Sequence, residues 1–514
     1  MRVLVFHGYL LRGTGSNVYN ASLAEALARL GHDVHLLCQD RAAAELPWVD
    51  AVGTWDAGGL EVTPTRTARP APGAGSVTAY LPEIGGLLPV FVRDAYAGFE
   101  VKTFAELDDA ELDRYLAANV AAVGDVVTAA GGVDAALANH LVMGPVILSR
   151  AGLRYALKVH GSDLSYTVLP EPERFVPYAE EAVAGAAGVL VGSVHIAERL
   201  RAAVGAAADD KLRIGPPGVD IELFAPLDRG AAPGRLRELA GRLRGEGAAA
   251  GAWGRHPADA ADAIAAFAAD DPRVVFVGKL IVSKGVDLLI AAWPLVHASH
   301  PGAGLLIAGF GEYEAGLRAL VDALARGDLD GARDVAARGR GLEGGAERRL
   351  EILSAFLADP PPGYLDSARA AAGAIRFAGR LEHAEVGALV PATDALVFPS
   401  TFPEAFGMVA AEAAAAGVLP ISAAHSGALE VSRALAAELP GGVAPLISFA
   451  VDERAVDAIA ARLDAWLGLD DGEREPAREA LRATVAGLWG WEGVARSVIA
   501  AATGDLDRLP RAGA

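Results

Sequence analysis

The sequence has little cysteine and no long apolar run. Cys38 is the only cysteine among 514 residues, which excludes disulfides within the chain and any zinc site built from several thiolates. No stretch reaches the roughly 18 apolar residues that suggest a membrane-spanning helix. Lys and Arg (45) are fewer than Asp and Glu (65), so the formal net charge is −20. An acidic surface repels phosphate backbones, so we expect no nucleic-acid partner. The lack of a long apolar run predicts a soluble protein, and the single cysteine fits the reducing cytoplasm.

Short continuous apolar runs alternate with amphipathic helical patterns along most of the chain, beginning with Val3 to Phe6 and restarting with Val274 to Val277. This alternation predicts an α/β protein with two doubly wound, Rossmann-like parallel-sheet domains. We expect the N-terminal domain over residues 1–225 and the C-terminal domain over 273–480. Residues 226–272 are expected to be a linker or insertion, and 481–514 a terminal helix.

Two further segments interrupt the alternation. Residues 60–105 carry five prolines among short β-prone pieces, which indicates an excursion from the first domain. That excursion could form a pocket wall, or it could be a surface flap with no role. Residues 327–372 are rich in Ala, Gly and Arg and are expected to be an insertion in the second domain.

Ligands of open parallel sheets bind outside the carboxyl ends of the strands. In the first domain three predicted strands end at His7, His140 and His160. The turn from Gly13 to Gly15 follows the first strand, but Val18 stands where a dinucleotide-binding fingerprint needs its third small residue. The turn therefore gives no strong support for NAD, and a simple tight connection is the other interpretation.

In the second domain the strand ends carry glycines and cations, including Gly278-Lys279 and Gly379-Arg380. The sharpest pattern follows another strand and places Glu404 eight residues before Glu412, with a predicted helix over 406–416. If both carboxylates were helical, they would lie about 12 Å apart along the axis. They could then grip two ends of an extended polar ligand, while the first-turn amides between them receive phosphate. Two solvated glutamates near a helix N-terminus are the plainer alternative.

These motifs together resemble GT-B glycosyltransferases of the large retaining family 4, whose relatives include glycogen and sucrose-phosphate synthases. Glu404 and Glu412 match that family's Glu-x7-Glu motif, and the segment 376–430 follows its pattern. Gly278-Lys279-Leu280 with Lys284-Gly285 matches its Gly-Arg-Leu…Lys-Gly segment, apart from lysine at 279. His160-Gly161-Ser162-Asp163 and the hinge over 215–220 also fit. The resemblance implies two domains facing across a cleft. It also implies that Trp491 precedes a terminal helix that crosses back onto the N-terminal domain.

The resemblance also implies roles for particular residues. Glu404 would hold hydroxyls of the donor sugar, and Glu412 would hold the ribose of the nucleotide. Lys279 and Lys284 would neutralise the diphosphate, although a lysine at 279 lacks the bidentate fork of arginine. His160 would touch the donor sugar near the reacting carbon. The backbone of Phe406, Gly407 and Met408 would help to hold the diphosphate, and the backbone around Arg380 and Leu381 would face the base. Gly13 and Gly15 would border both the acceptor and the diphosphate of the donor.

The activity implied is transfer of a hexose from a nucleoside-diphosphate sugar, with UDP- or GDP-sugars favoured, to a hydroxyl on a small molecule, glycan or lipid-linked acceptor. The sugar keeps its anomeric configuration, and neither a metal nor a cofactor is expected. Positive side chains and helix-terminal amides would stabilise the departing diphosphate instead. Two alternatives stay open at this point: a nucleotide-sugar isomerase or phosphorylase on the same fold, and a silent nucleotide-sugar-binding protein.

Overall fold

The computed structural model describes residues 1–13, 15–65, 73–91, 96, 98–245 and 255–513. Thr14 of the glycine-rich turn lies outside these ranges. Parts of the expected excursion and of the expected linker also lie outside them. Every structural statement below concerns the described residues.

The chain divides into two units. The first comprises Met1–Gly218 together with Trp489–Ala514, and the second comprises Val219–Leu488. Each unit has a large sheet, mostly or wholly parallel and flanked by helices, which confirms the predicted α/β class. The boundary falls at Gly218 instead of residue 225. The described part of 226–272 belongs to the second unit and contains two helices.

The first unit contains strands β1 to β11, helices α1 to α5 and the late helix α18. Its strands are β1 (Arg2–Phe6), β2 (Asp33–Leu37), β3 (Ala51–Asp56), β4 (Gly59–Pro64), β5 (Val77–Leu81), β6 (Leu87–Val90), β7 (Glu100–Thr103), β8 (Ala135–Asn139), β9 (Tyr155–Val159), β10 (Ala186–Val191) and β11 (Leu212–Ile214). Its helices are α1 (Gly15–Arg29), α2 (Asp109–Ala129), α3 (Gly144–Arg150), α4 (Pro172–Gly185), α5 (Val194–Val204) and α18 (Trp491–Thr503).

The large sheet of the first unit has the order β11-β10-β9-β8-β1-β2-β5-β3-β4. Strand β5 comes from the predicted excursion, yet it pairs in parallel with β2 through Val34 and Val77. Part of the segment 60–105 therefore belongs to the sheet of the first unit. Val77 and Ala79 are buried, and burial of these apolar side chains favours incorporation of this segment into the sheet.

Helix α18 packs on the first unit although it lies near the end of the chain. Trp491, Val494 and Val498 are buried in the same core as Leu23 of α1 and Leu137 of β8. The rings of Tyr19 and Trp491 are 5.5 Å apart. Within the segment 481–514, the residues from Trp489 onward thus belong to the first unit. Helix α18 covers one face of the sheet of that unit.

The second unit contains strands β12 to β17 and helices α6 to α17. Its strands are β12 (Arg273–Val277), β13 (Gly304–Ala308), β14 (Ile375–Gly379), β15 (Ala395–Phe398), β16 (Leu419–Ala423) and β17 (Ser448–Phe449). Its helices are α6 (Ala232–Gly245), α7 (Pro257–Phe267), α8 (Val286–Ser299), α9 (Glu314–Arg326), α10 (Leu329–Arg338), α11 (Glu351–Ala358), α12 (Tyr364–Ala371), α13 (His383–Leu389), α14 (Met408–Ala415), α15 (Ser426–Ala436), α16 (Ala455–Leu467) and α17 (Asp471–Trp489), whose last residue lies past the unit boundary.

The sheet of the second unit is wholly parallel, in the order β14-β13-β12-β15-β16-β17. The strand order reverses beside β12, because β13 lies on one side of it and β15 on the other. Such a switch point opens a crevice at the carboxyl ends of the strands. The predicted insertion 327–372 supplies α10, α11 and α12 and lies between β13 and β14 in the sequence. Among the described helices, none combines the length and apolarity needed to cross a membrane.

Candidate functional site

The loops that follow β12 and β15 interlock at the switch point of the second unit. Gly285 has a φ of +64°, and a Cβ there would lie 2.1 Å from the carbonyl oxygen of Pro399. The Thr401 amide donates to the Ser283 carbonyl at 2.8 Å. Only glycine fits this left-handed, closely approached position. The contact holds the residues on either side of it, Lys284 and Ser400, beside each other.

Lys284 and Glu404 form the centre of the site. Nζ of Lys284 lies 2.5 Å from Oε1 of Glu404, and the Ser400 hydroxyl donates to the same oxygen at 2.6 Å. The side chains of Lys284 and Glu404 are 24% and 19% exposed, so a ligand can reach both. Within the described part of the chain, Oε2 of Glu404 accepts no hydrogen bond and is available to one.

Glu404 precedes the helix instead of lying in it. The predicted helix over 406–416 begins at Met408, with Gly407 as its N-cap at a φ of +147°. The helical spacing assumed for the two glutamates is therefore wrong, because Glu404 is fixed by the loop after β15. Phe406 and Gly407 are buried in this loop. The amides of the first turn of α14 begin at Met408.

Glu412 lies in α14 and pairs with a histidine that the sequence analysis missed. It is 6% exposed, and its Oε1 lies 3.1 Å from Nε2 of His383 at the start of α13. The ring of Phe224 packs 5.4 Å from the His383 ring. Burial lowers the pKa of His383, but the hydrogen bond and charge of Glu412, with the charge of Asp220, raise it more, so the pKa lies above its ordinary value of 6.5.

The His383–Glu412 pair should make stability depend on pH. A raised pKa in the folded state means that the protonated histidine contributes stability that is complete below the unfolded pKa and is lost as pH rises through the folded pKa. Between pH 6 and pH 9 we expect the wild type to lose up to about 1 kcal/mol more than His383→Gln, a small value because the histidine is partly exposed.

Urea unfolding of both proteins across that range measures the effect. His256→Gln, at an exposed histidine before α7, controls for the loss of an imidazole. A pH profile of His383→Gln that overlies the wild type would contradict the pairing.

Lys279 and Arg380 follow β12 and β14, and both lie against the ring of Phe310, which follows the strand between them, β13. Nζ of Lys279 lies 5.9 Å from the centre of the Phe310 ring, and Cζ of Arg380 lies 5.2 Å from it. Arg380 also pairs with Glu382 at 3.3 Å, and Leu381 lies between these two partners in the chain. Both cations were predicted at this edge from the sequence, but Phe310, which contacts both, was not. The cation–π contacts with Phe310 order the two side chains.

His160 lies at the carboxyl edge of the first unit's sheet, in a chain of hydrogen bonds. Nε2 of His160 is 2.9 Å from Oδ1 of Asn139, and Nδ2 of Asn139 donates to Oδ1 of Asn20 at 2.6 Å. Nδ2 of Asn20 lies 3.0 Å from Nδ1 of His7. Since an amide oxygen only accepts, Nε2 of His160 carries the proton and Nδ1 is the acceptor.

The histidines of this edge are neutral. Burial and the neighbouring His140 lower the pKa of His7 to about 3, and burial lowers that of His140 to about 3. The pKa of His160 falls well below 6.5, chiefly by burial and then by the nearby His140 and Lys158. His160 can therefore accept or donate a hydrogen bond at neutral pH but is no acid there.

The glycine-rich turn is tied to the same edge. Gly13 has a φ of +99°, and Gly15 is the first residue of α1. Both are exposed. Asn17 donates to the carbonyl of Arg12 at 2.9 Å and contacts Nε2 of His7 at 3.0 Å. The structure thus gathers the predicted first-unit residues at one edge of its own sheet, and those of the second unit at one edge of the other.

Comparison with known proteins shows that this chain is similar to sugar-transfer proteins. Residues 364–483 match the family model described as "Glycosyl transferases group 1". This segment contains both Glu404 and Glu412.

Two relatives share sequence with the chain. The glycogen synthase of Mycobacterium tuberculosis is 33% identical over 168 residues, which cover 32% of this chain and 29% of that protein. The chain thus spans less than a third of the length of that relative. The D-inositol 3-phosphate glycosyltransferase of a Nocardioides species is 25% identical over 419 residues, or 82% of this chain and 72% of that protein.

Solved structures share the fold. The sucrose-phosphate synthase of Thermosynechococcus elongatus superposes with a TM-score of 0.57 at 17% identity, covering 99% of this chain and 98% of that one. Anabaena HepE, in complex with UDP and glucose, gives a TM-score of 0.53 at 15% identity, covering 97% and 98%. The fold is that of the GT-B glycosyltransferases, and the comparisons support a relationship to the group 1 family.

Proposed function

We propose that this protein is a glycosyltransferase that moves a hexose from a nucleoside-diphosphate sugar to a hydroxyl acceptor, with retention of anomeric configuration and without a metal. The observation that carries the proposal is the cluster of Lys284, Glu404 and Ser400 at the switch point of the second unit. Ser400 and Glu404 lie in the loop before α14, the helix that carries the buried Glu412, and within the segment 364–483 that matches the group 1 family. Lys284 reaches them from the loop after β12. The Lys284 cation and the first-turn amides of α14 suit a diphosphate. The carboxylate of Glu404 suits hydroxyls of a sugar, and that of Glu412 suits hydroxyls of a ribose.

The nucleotide would be gripped at two places. His383 holds Oε1 of Glu412, and no group in the described ranges hydrogen-bonds to its Oε2. A carboxylate oxygen accepts well from the two ribose hydroxyls. Lys279 and Arg380, ordered on Phe310, add positive charge near the diphosphate and the backbone that would meet the base. UDP- or GDP-sugars are the proposed donors, and the Anabaena protein solved with UDP supports the first. The acceptor is a hydroxyl of a small molecule, a glycan or a lipid-linked sugar.

The transfer step needs stabilisation of the leaving group. The acceptor oxygen bonds to the anomeric carbon while the bond from that carbon to the phosphate oxygen breaks, and the electron pair leaves with the diphosphate. The acceptor proton passes to that phosphate oxygen, so no protein base is consumed. Lys284 and the first-turn amides of α14 oppose the growing negative charge, which is where a preorganised site contributes most. Oε2 of Glu404 accepts from a sugar hydroxyl and fixes the ring.

We assign His160 a contact to the sugar. Its unprotonated Nδ1 accepts from a hydroxyl, because Nε2 is committed to Asn139. The residues Gly13 and Gly15 offer exposed backbone beside the same strand edge, which suits close approach of the acceptor. A neutral histidine here orients the sugar without supplying a proton.

Donor binding and turnover test the proposal together. Thermal melting with UDP-, GDP- and ADP-sugars identifies the donor, since a ligand at 100 times its Kd stabilises by about 2.7 kcal/mol. With that donor, we expect slow release of nucleoside diphosphate in water and faster release with a hydroxyl acceptor, both unchanged by EDTA. Proton NMR of the product should show the anomeric configuration of the donor.

Each alternative gives a different result. A silent binder would melt higher with a nucleotide-sugar and release no diphosphate, and an isomerase would change the sugar without release. Loss of activity in EDTA would contradict metal independence, and inversion at the anomeric carbon would contradict the stereochemistry. No stabilisation by any nucleotide-sugar and no release would contradict the proposed function as a whole.

A further inference from the structure

Ser426, the first residue of α15, has an unusual backbone conformation. Its φ is +52°, and among the described residues only His140 is another non-glycine residue with positive φ. The left-handed region is disfavoured for side chains that carry a Cβ. Such residues persist where the surrounding structure holds them in place, and they cluster at functional sites. Gly427, which would adopt this conformation without strain, is the next residue along the chain.

The Ser426 hydroxyl bonds to the loop that carries Glu404. Oγ of Ser426 accepts from the amide of Glu404 at 2.8 Å. The same hydroxyl lies 2.8 Å from the carbonyl oxygen of His425 and 3.0 Å from its Nδ1. The Ser426 hydroxyl therefore donates its single proton within His425 and accepts the amide proton of Glu404.

The backbone of Glu404 is held on both sides by the start of α15. The amide of Gly427 donates to the carbonyl of Glu404 at 2.9 Å, so the amide and the carbonyl of Glu404 both bond to consecutive residues of α15. A Cβ on Gly427 would lie 2.6 Å from the carbonyl carbon of Ala405, which shows how closely the two segments approach. Glu404 lies outside any helix or strand and has no regular ladder to hold it.

The cluster extends to the side chain of Glu404. Nε2 of His425 lies 2.8 Å from the carbonyl oxygen of Ser400, which can only accept, so Nε2 carries a proton and donates to it. Ser400 in turn donates to Oε1 of Glu404 at 2.6 Å. Ser426 therefore bonds directly to the backbone of Glu404. His425 contacts the Glu404 carboxylate indirectly, through Ser400.

We propose that Ser426 is a positioning residue that fixes the Glu404 carboxylate against the donor sugar. This inference rests on the proposed function. The serine hydroxyl replaces the missing secondary structure around Glu404, and the strained backbone places the hydroxyl there. Ser426 touches neither the nucleotide nor the sugar in this account, so its effect should appear in turnover and not in nucleotide affinity.

Ser426→Gly separates the hydroxyl from the strain, because glycine accepts the left-handed backbone but makes no bond to Glu404. With saturating donor, we expect kcat to fall about tenfold. The Kd for the nucleoside diphosphate alone should stay within twofold, and the melting temperature should not fall. Ser426→Ala should lose as much kcat and melt lower than Ser426→Gly, since it keeps the strain.

Ser432→Ala is the matched control. Ser432 is buried in the same helix, and its hydroxyl bonds to the carbonyl of Ala428 within that helix at 2.9 Å. We expect its kcat to stay within twofold of the wild type. A Ser426→Gly variant with wild-type kcat, or one that loses nucleotide affinity and melting temperature in parallel with kcat, would overturn the positioning role. An inactive wild type would instead overturn the proposed function, and the positioning role with it.

Discussion

Lys284→Met should lower kcat by about 10²- to 10³-fold, the usual cost of removing one group that stabilises developing negative charge. Methionine has a similar length and no charge, so the loop keeps its packing while the diphosphate loses a cation. Two further losses act in the same direction. Glu404 loses the partner 2.5 Å from its Oε1, and a partly buried carboxylate without its cation no longer has a fixed position. KM for the donor should rise less than kcat falls.

Steady-state rates of diphosphate release measure this effect. Lys211→Met is the matched control, because Lys211 precedes β11 at the opposite, amino end of a strand and bonds to the carbonyls of Val183 and Ala184. We expect it to keep wild-type kcat. Because Lys284 and Glu404 act as a pair, Lys284→Met with Glu404→Gln should be much less damaging than the product of the two single effects. A kcat within threefold of the wild type in Lys284→Met would contradict the assignment.

Glu412→Ala should weaken binding of the nucleoside diphosphate by about 10- to 100-fold. The range follows from about 1.5–3 kcal/mol for hydrogen bonds to a charged group. The substitution also removes the partner of His383, which then loses the cause of its raised pKa. The loss should appear equally with the free nucleotide and with the sugar donor, because the contact is to the ribose and not to the sugar.

Isothermal titration with the nucleotide measures the affinity directly. Glu438→Ala, at an exposed glutamate beyond the end of α15, controls for the change in net charge. We expect no change in that variant. Glu412→Ala with unchanged affinity, in a protein that melts as the wild type does, would show that the ribose is held elsewhere.

Much of the site could be predicted because its chemistry is carried by residue type and strand-end position. Lys279 and Glu404 follow apolar runs of the parallel sheet, whereas Glu412 was predicted from its spacing to Glu404 and Lys284 from its match to a motif of the family that the chain resembles. The edge they share is a consequence of parallel topology, so no contact had to be known. The same logic located His160 at the edge of the first sheet.

What the sequence did not show depends on backbone conformation. Ser-Gly at 426–427 suggests that glycine takes the positive φ, whereas the structure gives it to the serine. Glu404 lies in the loop before α14, where it bonds to Ser400, four residues away, and to Ser426, 22 residues away. His383 was missed because its partner, Glu412, lies on another helix. The pairing of β5 with the large sheet was not predicted, because prolines lie on both sides of this short buried run and favour an irregular segment.

Hydrogen exchange of the full-length protein with and without UDP, GDP or ADP tests the central claim, that the nucleotide lies at the carboxyl edge of the second unit's sheet. The account predicts that at least one of these nucleotides slows exchange in residues 279–285 and 399–412 and leaves the segment around Lys211 unchanged. Protection confined to other segments, or no protection by any nucleoside diphosphate at millimolar concentration, would contradict it.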